Sequence, residues 1–174
     1  MQIIALTGLA RSGKDTAAKY IGAKYSISWF DFSRDVLMDE LKARNLKPTK
    51  ENMSYLGDEM RKKSGQDALA QKLIEKIKES GAKSVVVSGV RSPEEANYLK
   101  NHSKRFVLIK LTADTNKRVK RSDNADIKSR DENDIKNKGL SKVLDMASIA
   151  IENNGTIDEL FVNLDEVIAC QELL

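Results

Sequence analysis

Residues 8–16 read Gly8-Leu9-Ala10-Arg11-Ser12-Gly13-Lys14-Asp15-Thr16, and they follow the short apolar run Ile3-Ile4-Ala5-Leu6. The order strand, glycine-framed loop, helix constrains this chain more than any other feature in it. The spacing Gly-x-x-x-x-Gly-Lys is that of a P-loop, in which backbone N–H groups converge on phosphate oxygens. Gly8 and Gly13 permit the tight curl. The helix that opens near Lys14 and runs to about Lys24 turns its unpaired N–H groups and positive dipole end toward the same phosphates. Lys14 is expected to reach the β- and γ-phosphates as a mobile point charge. Gly8, Ala10, Arg11, Ser12, Gly13, Lys14, Asp15 and Thr16 are therefore the expected nucleotide cradle. The hydroxyl residue that usually follows the lysine is replaced by Asp15, with Thr16 one place later. Two readings of Asp15 stand side by side: with Thr16 it ligates magnesium, or it only complements the helix N-terminus.

A chain of 174 residues with 40% hydrophobic and 32% charged residues suits one globular domain, spanning 1–174. No apolar run approaches the roughly 18 residues of a membrane span, and no signal peptide is expected. The single Cys170 cannot form an internal disulfide, which suits a reducing cytoplasm. It is expected as a small buried hydrophobe in the last helix. The net charge of +4 is spread along the chain and suits anionic small ligands. Aromatic residues are only 5%, with no platform of interleaved aromatic and basic residues, so nucleic acid is disfavoured as a partner.

Helical and extended patterns alternate throughout, which predicts an α/β sheet with helices on both faces. Strands are expected at 27–32, at 83–88 as a buried central strand, at 106–111 and at 149–151. Ser33 is expected to cap a helix through about Arg44, Thr49 a helix to about Lys63, and Gly81 to end the helix 66–80. Ser92-Pro93-Glu94-Glu95 and Thr156-Ile157-Asp158-Glu159 are capping boxes that open further helices.

Open parallel sheets bind ligands outside the carboxyl ends of their strands. Arg91 sits there and offers a planar fork to phosphate, unless it pairs with a helix carboxylate. Ser33 and Arg34 share that edge, as binders of a substrate phosphate or ribose, or as a plain cap and a solvated charge. Residues 117–139 carry Arg118, Arg121 and Arg130. They read either as a lid whose arginines neutralise the transferring phosphoryl group or as a solvated charged loop. Arg118 and Arg121, three apart on one helix face, lead the candidates. His102 is expected in a surface loop. Trp29 and Phe30 are expected to pack on opposite faces of their strand.

These residues resemble the adenylate-kinase-related P-loop kinases. Gly89-Val90-Arg91-Ser92 resembles the Gly-Phe-Pro-Arg element that grips the acceptor nucleotide, without its proline. Asn153-Asn154-Gly155 resembles the Asn-x-Gly segment shared with dephospho-CoA kinases, which lies beside the donor adenine. Arg11 to Thr16 resembles the P-loop of a phage-type deoxynucleoside monophosphate kinase. Over nearly its full length the chain is most similar to an archaeal group of adenylate-kinase-related proteins. The resemblance implies a P-loop NTPase fold with a five-stranded parallel sheet, a helical substrate-binding insert at about 31–64 and a lid at about 118–139. It implies ATP and magnesium as cofactors, with Asn154 and Gly155 near the nucleotide. Where that family carries an aspartate before its Gly-x-x-Arg, this chain has Ser88, so Asp15 becomes the carboxylate expected near the metal.

The expected activity is ATP-dependent phosphoryl transfer to a small nucleotide-like acceptor, probed first as a nucleoside monophosphate. Lys14, Arg91, Arg118 and Arg121 would act on the transferring group, and Ser33, Arg34 and Arg91 on the acceptor. Dephospho-CoA is the alternative acceptor, and an ATP-binding regulator or slow ATPase without transfer is the alternative class.

Overall fold

Strand β1 (Gln2–Thr7) divides the interior in two. Ile3 and Ala5 enter one hydrophobic core with Val85 and Val87, while Ile4 and Leu6 enter another with Val86. That alternation is the two-residue period of a strand covered on both faces. The computed structural model describes residues 1–121 and 127–173.

After β1 come α1 (Lys14–Lys24), β2 (Ser28–Asp31) and a wide helical turn at Phe32–Leu37 that runs into α2 (Met38–Ala43). Then follow α3 (Lys50–Ser64), α4 (Ala68–Glu79), β3 (Ser84–Val90), α5 (Pro93–Asn101), β4 (Arg105–Thr112) and α6 (Thr115–Lys120). The chain continues with α7 (Ile127–Lys138), α8 (Leu140–Met146), β5 (Ile149–Glu152) and α9 (Ile157–Cys170). The described strands form one parallel sheet of five, ordered β2-β3-β1-β4-β5. Helices α1 and α9 cover one face, and α3, α4, α5 and α8 supply the core of the other. The expected doubly covered α/β sheet of a P-loop kinase is thus present. No helix among the described residues is long and apolar enough to cross a membrane.

Both capping boxes form, with Ser92 and Glu95 closing on each other at the start of α5 and Thr156 and Glu159 at the start of α9. Several expectations need correction. The central strand is β1, and β3 is its interior neighbour. Strand β3 also runs two residues beyond Ser88, because Leu6 pairs with Ser88 and Thr7 with Val90, leaving Gly89 as a bulge. The turn after β2 is capped by Asp31 rather than Ser33, since the Asp31 carboxylate accepts the Ser33 and Arg34 N–H groups at 2.9 and 3.0 Å. A residue at the strand end is already extended, as an N-cap must be, whereas Ser33 lies inside the turn. Cys170 is exposed, because the buried stripe of α9 is Leu160, Leu164 and Ile168 and Cys170 lies off it. Trp29 and Phe30 do pack against opposite cores. His102 is exposed, its ring stacked on Tyr98.

Candidate active site

The loop between β1 and α1 is held from below and from the side. From below, Asn153 Nδ2 donates to the Ser12 carbonyl at 2.8 Å. A Cβ on Gly13 would collide with that same nitrogen, and Gly13 has φ +105°, so only glycine fits this close approach. At the apex Arg11 takes a left-handed backbone, φ 63°, with its side chain at the phosphate cavity. The Lys14 ammonium donates to the carbonyls of Gly8 and Leu9, both at 2.8 Å. Burial lowers the Lys14 pKa to about 8, with Arg91 adding to the effect and Asp15 and Asp134 opposing it.

From the side, a buried ion pair grips a single residue of the loop, Ala10, by both its N–H and its carbonyl. Arg118 donates to Asp131 Oδ2 at 2.6 Å and to the Ala10 carbonyl at 3.0 Å, while Asp131 Oδ1 accepts the Ala10 N–H at 3.0 Å. Arg118 is 4% exposed and does not line the phosphate cavity. The expectation that it touches the transferring phosphoryl group is therefore corrected: its guanidinium is spent on the loop. Ala10 lines the cavity, but its N–H is committed to Asp131. Arg121 does line the cavity, held by the Asn153 carbonyl at 2.7 Å, and Arg130 lines it from α7.

At the strand ends, the Ser88 hydroxyl donates to Asp15 Oδ1 at 2.8 Å. P-loop enzymes usually hold magnesium with a loop hydroxyl and a strand-end aspartate. Here carboxylate and hydroxyl have exchanged places. An oxygen-only pair of this kind fits a magnesium ion that keeps most of its ligands as water and phosphate oxygen. No group of three or more His, Cys, Asp or Glu among the described residues is placed to hold a metal by protein ligands alone. Thr16 lines the phosphate cavity beside Asp15.

Two cavities meet at these strand ends. One, about 500 Å³, is the phosphate cavity over the loop; the other, about 620 Å³, lies between the helical segment 32–64 and α7. Asp31, Ser33, Gly89, Arg91, Arg130 and Asp134 line both. Arg91 is aimed by the Gly89 bulge and by Glu95, which accepts the Arg91 N–H at 2.9 Å. Glu95 in turn pairs with the buried Arg61 at 2.7 Å, so the wall of the larger cavity is tied to the loop that carries Arg91. Arg34 does not line either cavity: it stacks 3.6 Å from the Trp29 ring centroid and pairs with Asp35 at 2.6 Å. Its expected contact with substrate is corrected on that ground. Asn154 and Gly155 are also outside both cavity walls; Asn154 accepts the Asp114 N–H at 2.8 Å, and Gly155 abuts Glu159.

Sequence reasoning missed Asp31, Asn153, Asp131, Asp134 and Lys138. A signal for three of them existed. Ile127, Asp131, Asp134 and Lys138 are buried at spacings of four, three and four, which is a helical stripe written mostly in charged letters. Lys138 pairs with Asp134 at 2.7 Å. Burial opposes ionisation of Asp134, but Arg91 and Lys138 hold its carboxyl below the usual range. Positions 122–126 of the expected lid lie outside the described residues.

A profile of the AAA domain family matches residues 4–144. A UPF0200 protein of Methanosarcina mazei is 31% identical over 180 residues, covering 97% of this chain and 95% of its own. One from Methanocaldococcus jannaschii is 29% identical over 100% of this chain and 91% of its own. In shape, shikimate kinase from Bacteroides thetaiotaomicron superposes with a TM-score of 0.64 at 12% identity, over 99% of both chains. Shikimate kinase from Aquifex aeolicus does so at 0.62 and 17%, again over 99% of both. At such identities the likeness is of fold alone. Within the expected adenylate-kinase-related resemblance, the P-loop kinase-like nucleotide-binding domain is the part these comparisons share. By the extent of these matches, the chain belongs to the AAA domain family and to the UPF0200 family, with the fold of a P-loop kinase.

Proposed function

We propose that this chain transfers the γ-phosphoryl group of ATP to a small anionic acceptor held in the larger cavity. The observation that carries the reading is the shared wall: Asp31, Ser33, Gly89, Arg91, Arg130 and Asp134 line both cavities, so a donor on the loop and an acceptor beside it would meet there. The phosphate cavity presents five basic side chains (Arg11, Lys14, Arg91, Arg121, Arg130) against three acidic ones, the balance a polyphosphate calls for. Lys14 and the loop amides would hold the donor, and Arg91, Arg121 and Arg130 would neutralise charge on the transferring group. Magnesium, held by Asp15 and the Ser88 hydroxyl with Thr16 beside them, would supply charge neutralisation between the phosphates. The residues of 31–64 that wall the larger cavity act as the acceptor-binding insert, with Ser33 at its mouth.

The resemblance points to a nucleoside monophosphate as acceptor, with dephospho-CoA as the alternative. A coupled assay with ATP, magnesium and a panel containing both tests the reading. A phosphorylated product is expected from at least one of them. Slow ATP hydrolysis that no acceptor accelerates would overturn transfer and leave a nucleotide-binding regulator or slow ATPase.

A further inference from the structure

We infer that the nucleophile of the acceptor is a hydroxyl group, and that Asp31 at the junction of the two cavities takes its proton. This rests on the transfer reading above and narrows its substrate to anionic alcohols phosphorylated on oxygen bound to carbon.

The geometry divides the Asp31 carboxylate into two ends with different tasks. Oδ1 accepts the N–H groups of Ser33 and Arg34 and fixes the group in place. Oδ2 lies beside Gly89, where a Cβ would come within 3.2 Å of it, so a side chain at that position would crowd the oxygen. Asp31 stands in register with Ser88 on the neighbouring strand, and Ser88 touches Asp15 at the foot of the phosphate loop. The backbones at Asp31 and Ser88 therefore lie one strand spacing, about 4.8 Å, apart. Asp31 lines both cavities.

The two kinds of acceptor make opposite demands on such a site. A phosphate monoester is already ionised near neutral pH, so it needs cations around its reacting oxygen and no base. A carboxylate facing it would only repel it. A hydroxyl needs a positioned group to take its proton as its oxygen attacks. The larger cavity carries five basic residues against four acidic ones, nearer balance than the phosphate cavity. Arg61 lines this cavity with its guanidinium paired to Glu95 at 2.7 Å and to Asp58 at 3.5 Å, so the excess of basic residues for an anionic group of the acceptor lies with the other cations of the wall.

In the step, the hydroxyl oxygen forms a bond to the γ-phosphorus as the bond from that phosphorus to the bridging oxygen of ADP breaks. ADP leaves with the bonding electrons, and the hydroxyl proton passes to Asp31 Oδ2.

The test compares the wild-type chain with Asp31→Asn, whose Oδ1 still accepts the two N–H groups and so preserves the cap. ATP and magnesium are supplied with dephospho-CoA, sugar phosphates and hydroxy acids as hydroxyl acceptors, and with the four common nucleoside monophosphates as phosphate acceptors. Phosphorus NMR of the product is expected to show a phosphomonoester without phosphorus–phosphorus coupling. Asp31→Asn is expected to lower kcat by about 10²–10⁴-fold with little change in acceptor KM, ATP affinity or melting temperature. A nucleoside diphosphate as the product would overturn the hydroxyl assignment and leave transfer standing. A phosphomonoester formed by Asp31→Asn at the wild-type rate would overturn the role of Asp31. Hydrolysis without transfer to any acceptor would overturn the parent reading and this one with it.

Discussion

Replacing Arg118 with leucine should damage the fold first and the chemistry only through it. The pair it forms with Asp131 is almost out of solvent, with side-chain exposures of 5% and 12%, and its shortest contact is 2.6 Å. Removing one partner of a buried pair strands the other's charge, which costs about 3–5 kcal/mol. For a chain of this size each kcal/mol lowers Tm by about 2–4 °C, so Arg118→Leu should melt roughly 6–20 °C below the wild type. Arg118→Leu/Asp131→Leu removes both charges and should recover much of that loss. The unpaired Arg118 Nε shows that the pair is not fully satisfied as it stands. Thermal melts of Arg118→Leu, Asp131→Leu and the double give the coupling directly, and nucleotide titrations report the loop, since the first frees the Ala10 carbonyl, the second its N–H and the double both. Arg121→Ala and Arg130→Ala serve as the contrast: both line the phosphate cavity and should slow transfer with a much smaller change in Tm. If Arg118→Leu melted with the wild type but had lost transfer, the clamp would be wrong, and Arg118 would belong with the residues that meet phosphate.

Nucleotide binding should take up protons. Lys14 has a pKa of about 8 in the free protein, so it is about half charged at pH 8; phosphates favour the charged form and raise that pKa on binding. Calorimetry at pH 8 in buffers of different ionisation enthalpy should read about half a proton taken up per ATP, and affinity should fall as pH rises above 8. Uptake that survives in Lys14→Met would assign the proton elsewhere. For the metal, Asp15→Ser should weaken manganese binding to the ATP complex by about tenfold or more, read by electron paramagnetic resonance. Asp15→Ser/Ser88→Asp restores one carboxylate and one hydroxyl and should recover it; a double variant as weak as the single would refute the exchange of roles. Gly13→Ala should all but abolish ATP binding, because its Cβ collides with Asn153 Nδ2 and its φ of +105° strains any side chain. Wild-type affinity there would mean that Asn153 is not the loop's support.

Much of the molecule was legible because its signals are local. The P-loop, both capping boxes and the β-branched run at 85–87 are patterns of a few neighbouring residues, and neighbouring residues decide where helices begin and strands run. The place of Arg91 beside a capping box was legible for the same reason, whereas its pairing with the helix carboxylate of Asp134 at 3.7 Å, the alternative the sequence left open, came from the fold. The choice among charged side chains was not legible. Arg118 and Arg121 lie three apart on a short basic helix, yet one is buried under the loop and the other lines the cavity. That difference comes from Asp131, thirteen residues on, across a segment whose path no local pattern states. Arg34 was lost to Trp29 and Asp35 because a guanidinium beside a half-buried indole and a carboxylate has partners without any substrate. Asp31 read as the last residue of a strand and became the corner of two cavities only when β2 was laid beside β3.

By itself, then, the sequence determined that a phosphate-binding loop opens a doubly covered parallel sheet, since spacing and caps act within a few residues. Tertiary structure decided which carboxylate meets which cation. Burial selects among identical charges by what packs against them, and the partners come from elements far apart in the chain. The exchange of carboxylate and hydroxyl between Asp15 and Ser88 is the sharpest instance. Each alone looks like a departure from the pattern, and only the fold brings them to a 2.8 Å contact.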